Sequence, residues 1–131
     1  MKKKYLAKII ATDNEGLQMI STCCAGAKIK IADIKYLKNS KVFLLSLKRS
    51  KIEVEDKEEK INSICKFEFV DRVKSKNIKQ EQPDLTLELM AIDFLKNNES
   101  YEINLIFVNN AYITLSTEII EITLEDQNLI A

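Results

Sequence analysis

The first residues of the chain whose types could do chemistry are the adjacent cysteines in "MISTCCAGAKIKI", residues 19–31. A thiol pair followed by a glycine and alternating lysines could serve redox exchange or metal binding. The only other cysteine is Cys65, 41 residues beyond Cys24. An odd count at these spacings suits free thiols in a reducing compartment better than a disulfide framework. Zinc would need four ligands in a closed structural site, usually opened by a Cys-x-x-Cys clip, and no such clip is present. The chain also has no histidine. It therefore contains no Ser-His or Cys-His pair and no side chain that ordinarily titrates near neutrality. Lys28 is the nearest following cation, too little to hold either thiol as a thiolate. Cys23, Cys24 and Cys65 are expected to pack.

Other chemistries are narrowed in the same way. Gly16 and Gly26 are the only glycines, so no glycine-rich phosphate loop of the Walker or Rossmann type exists. Asp33, Asp71 and Asp93 each lie near an expected bend, where an aspartate more often bonds nearby backbone donors than catalyses. A carboxylate-based, metal-dependent enzyme remains the second alternative, but the expectation is no catalytic residue, no metal ligand and no cofactor.

The strongest pattern is the order of charge. Residues 1–79 carry 19 Lys/Arg against 10 Asp/Glu, whereas residues 80–131 carry one lysine, Lys96, against 10 acidic residues. Between residues 28 and 51 the cations Lys28, Lys30, Lys35, Lys38, Lys41, Lys48, Arg49 and Lys51 are opposed only by Asp33. The candidate contact surface is Lys28, Lys30, Lys35, Tyr36, Lys38, Lys41, Lys48 and Arg49. An anionic ligand or an acidic protein surface would suit it. Nucleic acid is the rival partner, disfavoured because Tyr36 is nearly the only aromatic among these lysines and single-strand grooves interleave more stacking rings. The competing view is that lysine simply solvates a sheet face, with acidic strands of the second half lying opposite.

The elements that must position these residues can be read from periodicity. "TDNEG", residues 12–16, opens a helix, with Asp13 as N-cap or Thr12 and Glu15 forming a capping box. Leu17, Ile20, Cys24 and Ala27 then share one helical face, and Gly26 suits the end. Cys24 points inward on this reading, and Cys23 sits on the flank. The rest alternates as strands. Residues 4–11 form a short one. Ile29 and Ile31 then give way to Ile34 and Tyr36 on the other parity, which predicts a bend near Ala32-Asp33. Phe43, Leu45 and Leu47 alternate after a "KNSK" turn, and Cys65, Phe67 and Phe69 share a core face. Residues 51–62 read as a solvated connection, and "NIKQEQPD" breaks the chain at the single proline, Pro83. Leu85, Leu87 and Leu89 shift phase to Ile92 and Phe94. Asn109-Asn110 forms a hairpin turn, since asparagine tolerates positive φ. Ile120, Ile122 and Leu124 end the core pattern, and the last five residues fray.

At 131 residues, 46% hydrophobic and 31% charged, the chain is expected to be one globular domain over residues 1–131. No apolar run approaches the ~20 residues of a membrane span. Lys8 and Asp13 interrupt the start too soon for a secretory signal. The fold class is α+β. It comprises a strongly twisted, mostly antiparallel sheet or partly closed roll, resembling the pleckstrin-homology class, of about seven to eight strands with one helix in the N-terminal region.

The order of "LAKIIATDNEGLQMIS", "KIKIADIKYLKNSKVFLLSLKR", "INSICKFEFVDRVKSKNI", "LTLELMAIDF" and "INLIFVNNAYITLSTEIIEITLED" resembles a small bacterial family of unknown function, numbered 2948, over nearly the whole chain. The resemblance implies a cytoplasmic single-domain protein and carries over no catalytic residue. Together these readings predict a non-catalytic cytoplasmic binding or interaction module with a basic face at residues 28–51. Its partner would be a protein or anionic ligand, with no membrane contact and with self-association into a homo-oligomer left open.

Overall fold

A computed structural model describes residues 7–52 and 58–129. The elements in chain order are β1 (Lys8–Ala11), α1 (Asn14–Cys24), β2 (Lys28–Lys30), β3 (Ile34–Leu37), β4 (Val42–Ile52), β5 (Glu58–Phe67), β6 (Val70–Lys76), β7 (Thr86–Asn97), β8 (Ser100–Phe107), β9 (Ala111–Thr117) and β10 (Ile122–Leu129). One antiparallel path runs β1-β10-β5-β4-β2-β7-β8-β9-β6, with β3 beside β4. The fold is thus α+β with an open sheet. Strands of the basic first half and the acidic second half interleave in it.

Asp13, in extended conformation, caps α1 by accepting the Gly16 amide at 2.8 Å. That leaves the Thr12 alternative unused. Leu17, Ile20, Ser21 and Cys24 form the buried face of the helix. Gly26 ends it at φ 84°, and its amide donates to the Leu89 carbonyl at 2.7 Å. The expected phase shift in β7 is a register irregularity between Leu89 and Ala91. There the Ile92 amide donates to the Ser21 hydroxyl at 2.9 Å, so the helix satisfies a donor close to the irregularity.

The inner face of the sheet and α1 enclose the core. Phe43 and Phe67 are cross-strand partners whose rings meet edge-on at 6.0 Å. Leu45, Cys65, Leu89, Leu105, Leu115 and Leu124 are fully buried around them. Asn109 and Asn110 both take positive φ at the β8–β9 turn, as their side chains predict.

Several expectations are corrected. Ten strands are present among the described residues, rather than seven or eight. A 3-10 turn at Ile31–Asp33 splits β2 from β3, and β6 was not expected as a strand. β6 is an edge paired only with β9, so it carries Arg72, Lys74 and Lys76 outward and shows little alternation. Phe69 is not a core residue. It adopts φ 59° and is 43% exposed, and this reversal turns Val70 inward instead. Leu85 precedes β7 and is exposed. The proposed connection at 51–62 is largely the continuation of β4 and β5, while residues 53–57 lie outside the described residues. The frayed end expected from residue 127 is part of β10 as far as Leu129, with 130–131 outside the described residues, as 4–6 are at the start.

Candidate functional site

Alternation along β2 buries Ile29 and turns Lys28 and Lys30 to the outer face. On β4 the same parity that buries Phe43, Leu45 and Leu47 turns Ser46 and Lys48 outward. Register then places Lys28 directly opposite Lys48, and Lys48 opposite Asn62 on β5. These side chains border a hollow of about 650 Å³ that is also lined by Asp33, Ile64, Thr86 and Gln127. Lys28 bonds Glu88, its neighbour on β7. Lys30 and Lys48 have no ion-pair partner among the described residues. The hollow therefore combines three ammonium groups with hydroxyl and amide side chains, and among the described residues Asp33 is the only carboxylate in its lining. Such a surface attracts an anion and can hydrogen-bond it.

The remaining expected contact residues are not brought to the hollow. Lys35 faces out from β3, and Lys38 stands in the 3-10 turn at Lys38–Ser40. Lys41 takes a left-handed conformation and pairs with Asp71 at 2.9 Å. That hydrogen bond holds its ammonium above the usual lysine value. Tyr36 is half-buried, and its hydroxyl donates to the Val70 carbonyl at 2.7 Å, so its ring is committed to the fold.

Arg49 is a correction, being buried rather than on the contact surface. Its Nε donates to Asp126 Oδ1 at 3.0 Å and its Nη2 to Oδ2 at 2.8 Å. The Ser63 hydroxyl donates to Oδ1 at 2.7 Å, and the Ala7 amide donates to Oδ2 at 2.8 Å. Burial pushes the Asp126 carboxyl up, but the bonds from Arg49, Ser63 and Ala7 outweigh it and hold the group below the usual carboxylate range. The signal was available: Arg49 continues the Phe43, Leu45, Leu47 parity, and Asp126 continues that of Ile122 and Leu124.

The candidate carboxylates are scattered. Asp33 lines the hollow, Asp71 holds Lys41, and Asp93 accepts from Asn104 at 3.1 Å on the outer face. Sequence reasoning passed over Glu68 and Glu121, whose backbones are joined at 3.0 Å. Their mutual hydrogen bond lowers Glu68 and raises Glu121 relative to an ordinary carboxyl, on open surface beside Lys66. No group of three or more potential metal ligands occurs among the described residues.

The cysteines pack as expected. Cys24 and Cys65 are fully buried, and Cys23 is half-buried on the helix flank. The Cys24 thiol, through a hydrogen bond, and burial push Cys65 well above its usual value, while burial raises Cys23. Neither Cys23 nor Cys65 is poised as a thiolate.

Residues 7–130 match the family described as "Protein of unknown function (DUF2948)", and the chain belongs to it. No curated protein and no solved structure matches the chain.

Proposed function

We propose that this family member is a non-catalytic binding module that takes a compact anionic group, phosphate or carboxylate, in the hollow bordered by Lys28, Lys30 and Lys48. One observation carries the reading. Lys28 and Lys48 are directly opposite across β2 and β4, at a concave site where hydroxyl and amide side chains also converge. Like charges in that position oppose folding, so their concentration at a hollow is better explained by a ligand than by the sheet. Three free thiols accord with a cytoplasmic setting. No described helix is long and apolar enough to cross a membrane. The finer description as a pleckstrin-homology-like roll belongs to this reading. It is supported by the Val70 amide reaching the Lys41 carbonyl at 2.8 Å, which curls β6 towards the β3–β4 hairpin.

Nucleic acid stays the rival occupant, and among the described residues no aromatic side chain lines the hollow to stack a base. The test is an amide NMR titration with pyrophosphate and, separately, a dicarboxylate. Salt-sensitive shifts clustered at Lys28, Lys30, Lys48 and Thr86, lost in Lys30→Glu/Lys48→Glu, are expected. Absence of shifts up to ~10 mM, a value weaker than ordinary specific recognition, would sink the proposal.

A further inference from the structure

A second surface, independent of the hollow, lies where the sheet path ends. Among the described residues β3 pairs only with β4 and β6 only with β9, so each offers an unpaired strand edge. The start of β6 is pinned to the β3–β4 connection by the Val70 amide on the Lys41 carbonyl and to β3 itself by the Tyr36 hydroxyl on the Val70 carbonyl. No other hydrogen bond joins β3 to β6 among the described residues. Between them runs a groove of about 460 Å³ with apolar walls at Ile34, Tyr36, Phe43, Val73 and Ile113 and polar side chains at Ser75 and Gln80.

We propose that this groove accepts an extended peptide of alternating apolar and acidic residues, added as a strand along β6. A strand edge supplies a row of backbone donors and acceptors, and a pocket beneath it selects every second side chain. Val73 and Ser75 face the groove, while Arg72, Lys74 and Lys76 are exposed on the outer lip, with Lys35 on the β3 side. A strand entering here therefore sets one set of side chains on apolar surface and the other among cations. Among the described residues the groove lining contains no carboxylate. Nearby Asp71 is occupied by Lys41, and Glu81 and Asp84 belong to the loop at the Gln80–Pro83 end. Charge also excludes a second copy pairing through the same edge, because β6 against β6 would bring two rows of Arg72, Lys74 and Lys76 together.

The probe is a seven-residue peptide alternating glutamate and valine, with a lysine-valine peptide and a backbone N-methylated glutamate-valine peptide as comparators. The glutamate-valine peptide should bind the intact protein with a Kd below ~100 μM, a transient affinity. It should protect β6 amides from hydrogen exchange, while both comparators bind at least ~10-fold more weakly. Lys74→Glu/Lys76→Glu alters only exposed side chains, so its fold should stand, and it should weaken binding by ~10-fold or more. Val73→Lys should abolish binding if its melting temperature is retained. Equal binding of the N-methylated peptide, shifts confined to the Lys28/Lys30/Lys48 hollow, or an unchanged affinity in Lys74→Glu/Lys76→Glu would each overturn the assignment. So would self-association strengthened by that double variant. Since anion binding in the hollow reads out at other residues, the two proposals fail separately.

Discussion

Replacing Asp126 by asparagine keeps the shape of the side chain and removes its charge. The carboxylate accepts four hydrogen bonds, two from Arg49 and one each from Ser63 and Ala7. In asparagine one of the two oxygens becomes an NH2, which must point a donor at another donor whichever way it is turned. Arg49, whose side chain is only 6% exposed, is left without its counter-charge. Breaking a buried pair on one side costs about 3–5 kcal/mol, a large share of the ~5–15 kcal/mol by which domains are stable. With a urea m-value of ~2 kcal/mol/M, the unfolding midpoint should fall by roughly 2 M while m stays constant. The double variant Arg49→Met/Asp126→Leu removes both charges. It should recover about half of the loss, retaining a deficit of about 1–3 kcal/mol because Ser63 and the Ala7 amide lose their acceptor. Acid offers a second readout. Asp126 has a folded-state pKa below its unfolded value of ~3.9, so its contribution is full above that value and disappears as pH falls through the folded pKa. The wild-type advantage over Asp126→Asn should therefore shrink below about pH 4. A loss under ~1 kcal/mol in the single variant, or a double variant no better than the single, would refute this account of the buried pair.

Four further outcomes are expected. Gly16→Ala should destabilise by about 1–3 kcal/mol in the same urea assay despite the better helix propensity of alanine, because an added Cβ would stand 2.9 Å from Ala11 Cα. Thiol reagents should label Cys23 first and reach Cys24 and Cys65 only on unfolding, so rapid native labelling of all three would contradict the packing. Lys48→Thr should hold or raise the melting temperature, since it removes a like charge opposite Lys28 and introduces a β-favouring residue, while weakening pyrophosphate binding. Generic DNA or RNA should bind with a Kd weaker than ~10 μM at physiological salt, measured by anisotropy; submicromolar binding there, lost on reversing Lys28, Lys30 and Lys48 to glutamate, would promote the nucleic-acid rival.

What was legible in the sequence was local. The Asp13 cap, the inward Cys24, the bend near Ala32-Asp33 and the Asn109-Asn110 turn each depend on a few adjacent residues. β6 was hidden because an edge strand with one neighbour need not alternate, and Phe69 because its positive φ is held by backbone bonds on either side, from Glu68 to Glu121 and from Val70 to Lys41. Arg49 and Asp126 are 77 residues apart, and no local pattern joins them. Parity did place both inside, but residue type argued for the surface, and parity was the stronger guide.

The hollow poses the same contest between residue type and position with the opposite result. Outward parity for Lys28, Lys30 and Lys48 is what a solvated face would also show, so exposure alone decides nothing. The register does. Glu88 stands beside Lys28 and neutralises it, as the solvated-face view requires, because an acidic strand of the second half has come to lie against a basic strand of the first. Lys48 has on its flanks Lys28 and Asn62, and neither is acidic. A sheet selected only for stability would place an acidic or uncharged residue at one of these positions, since cross-strand pairs are worth about 0.2–1 kcal/mol. Charge pairing thus accounts for Lys28, while Lys48 and Lys30 have no such partner among the described residues, which is the gap the proposed anion would fill.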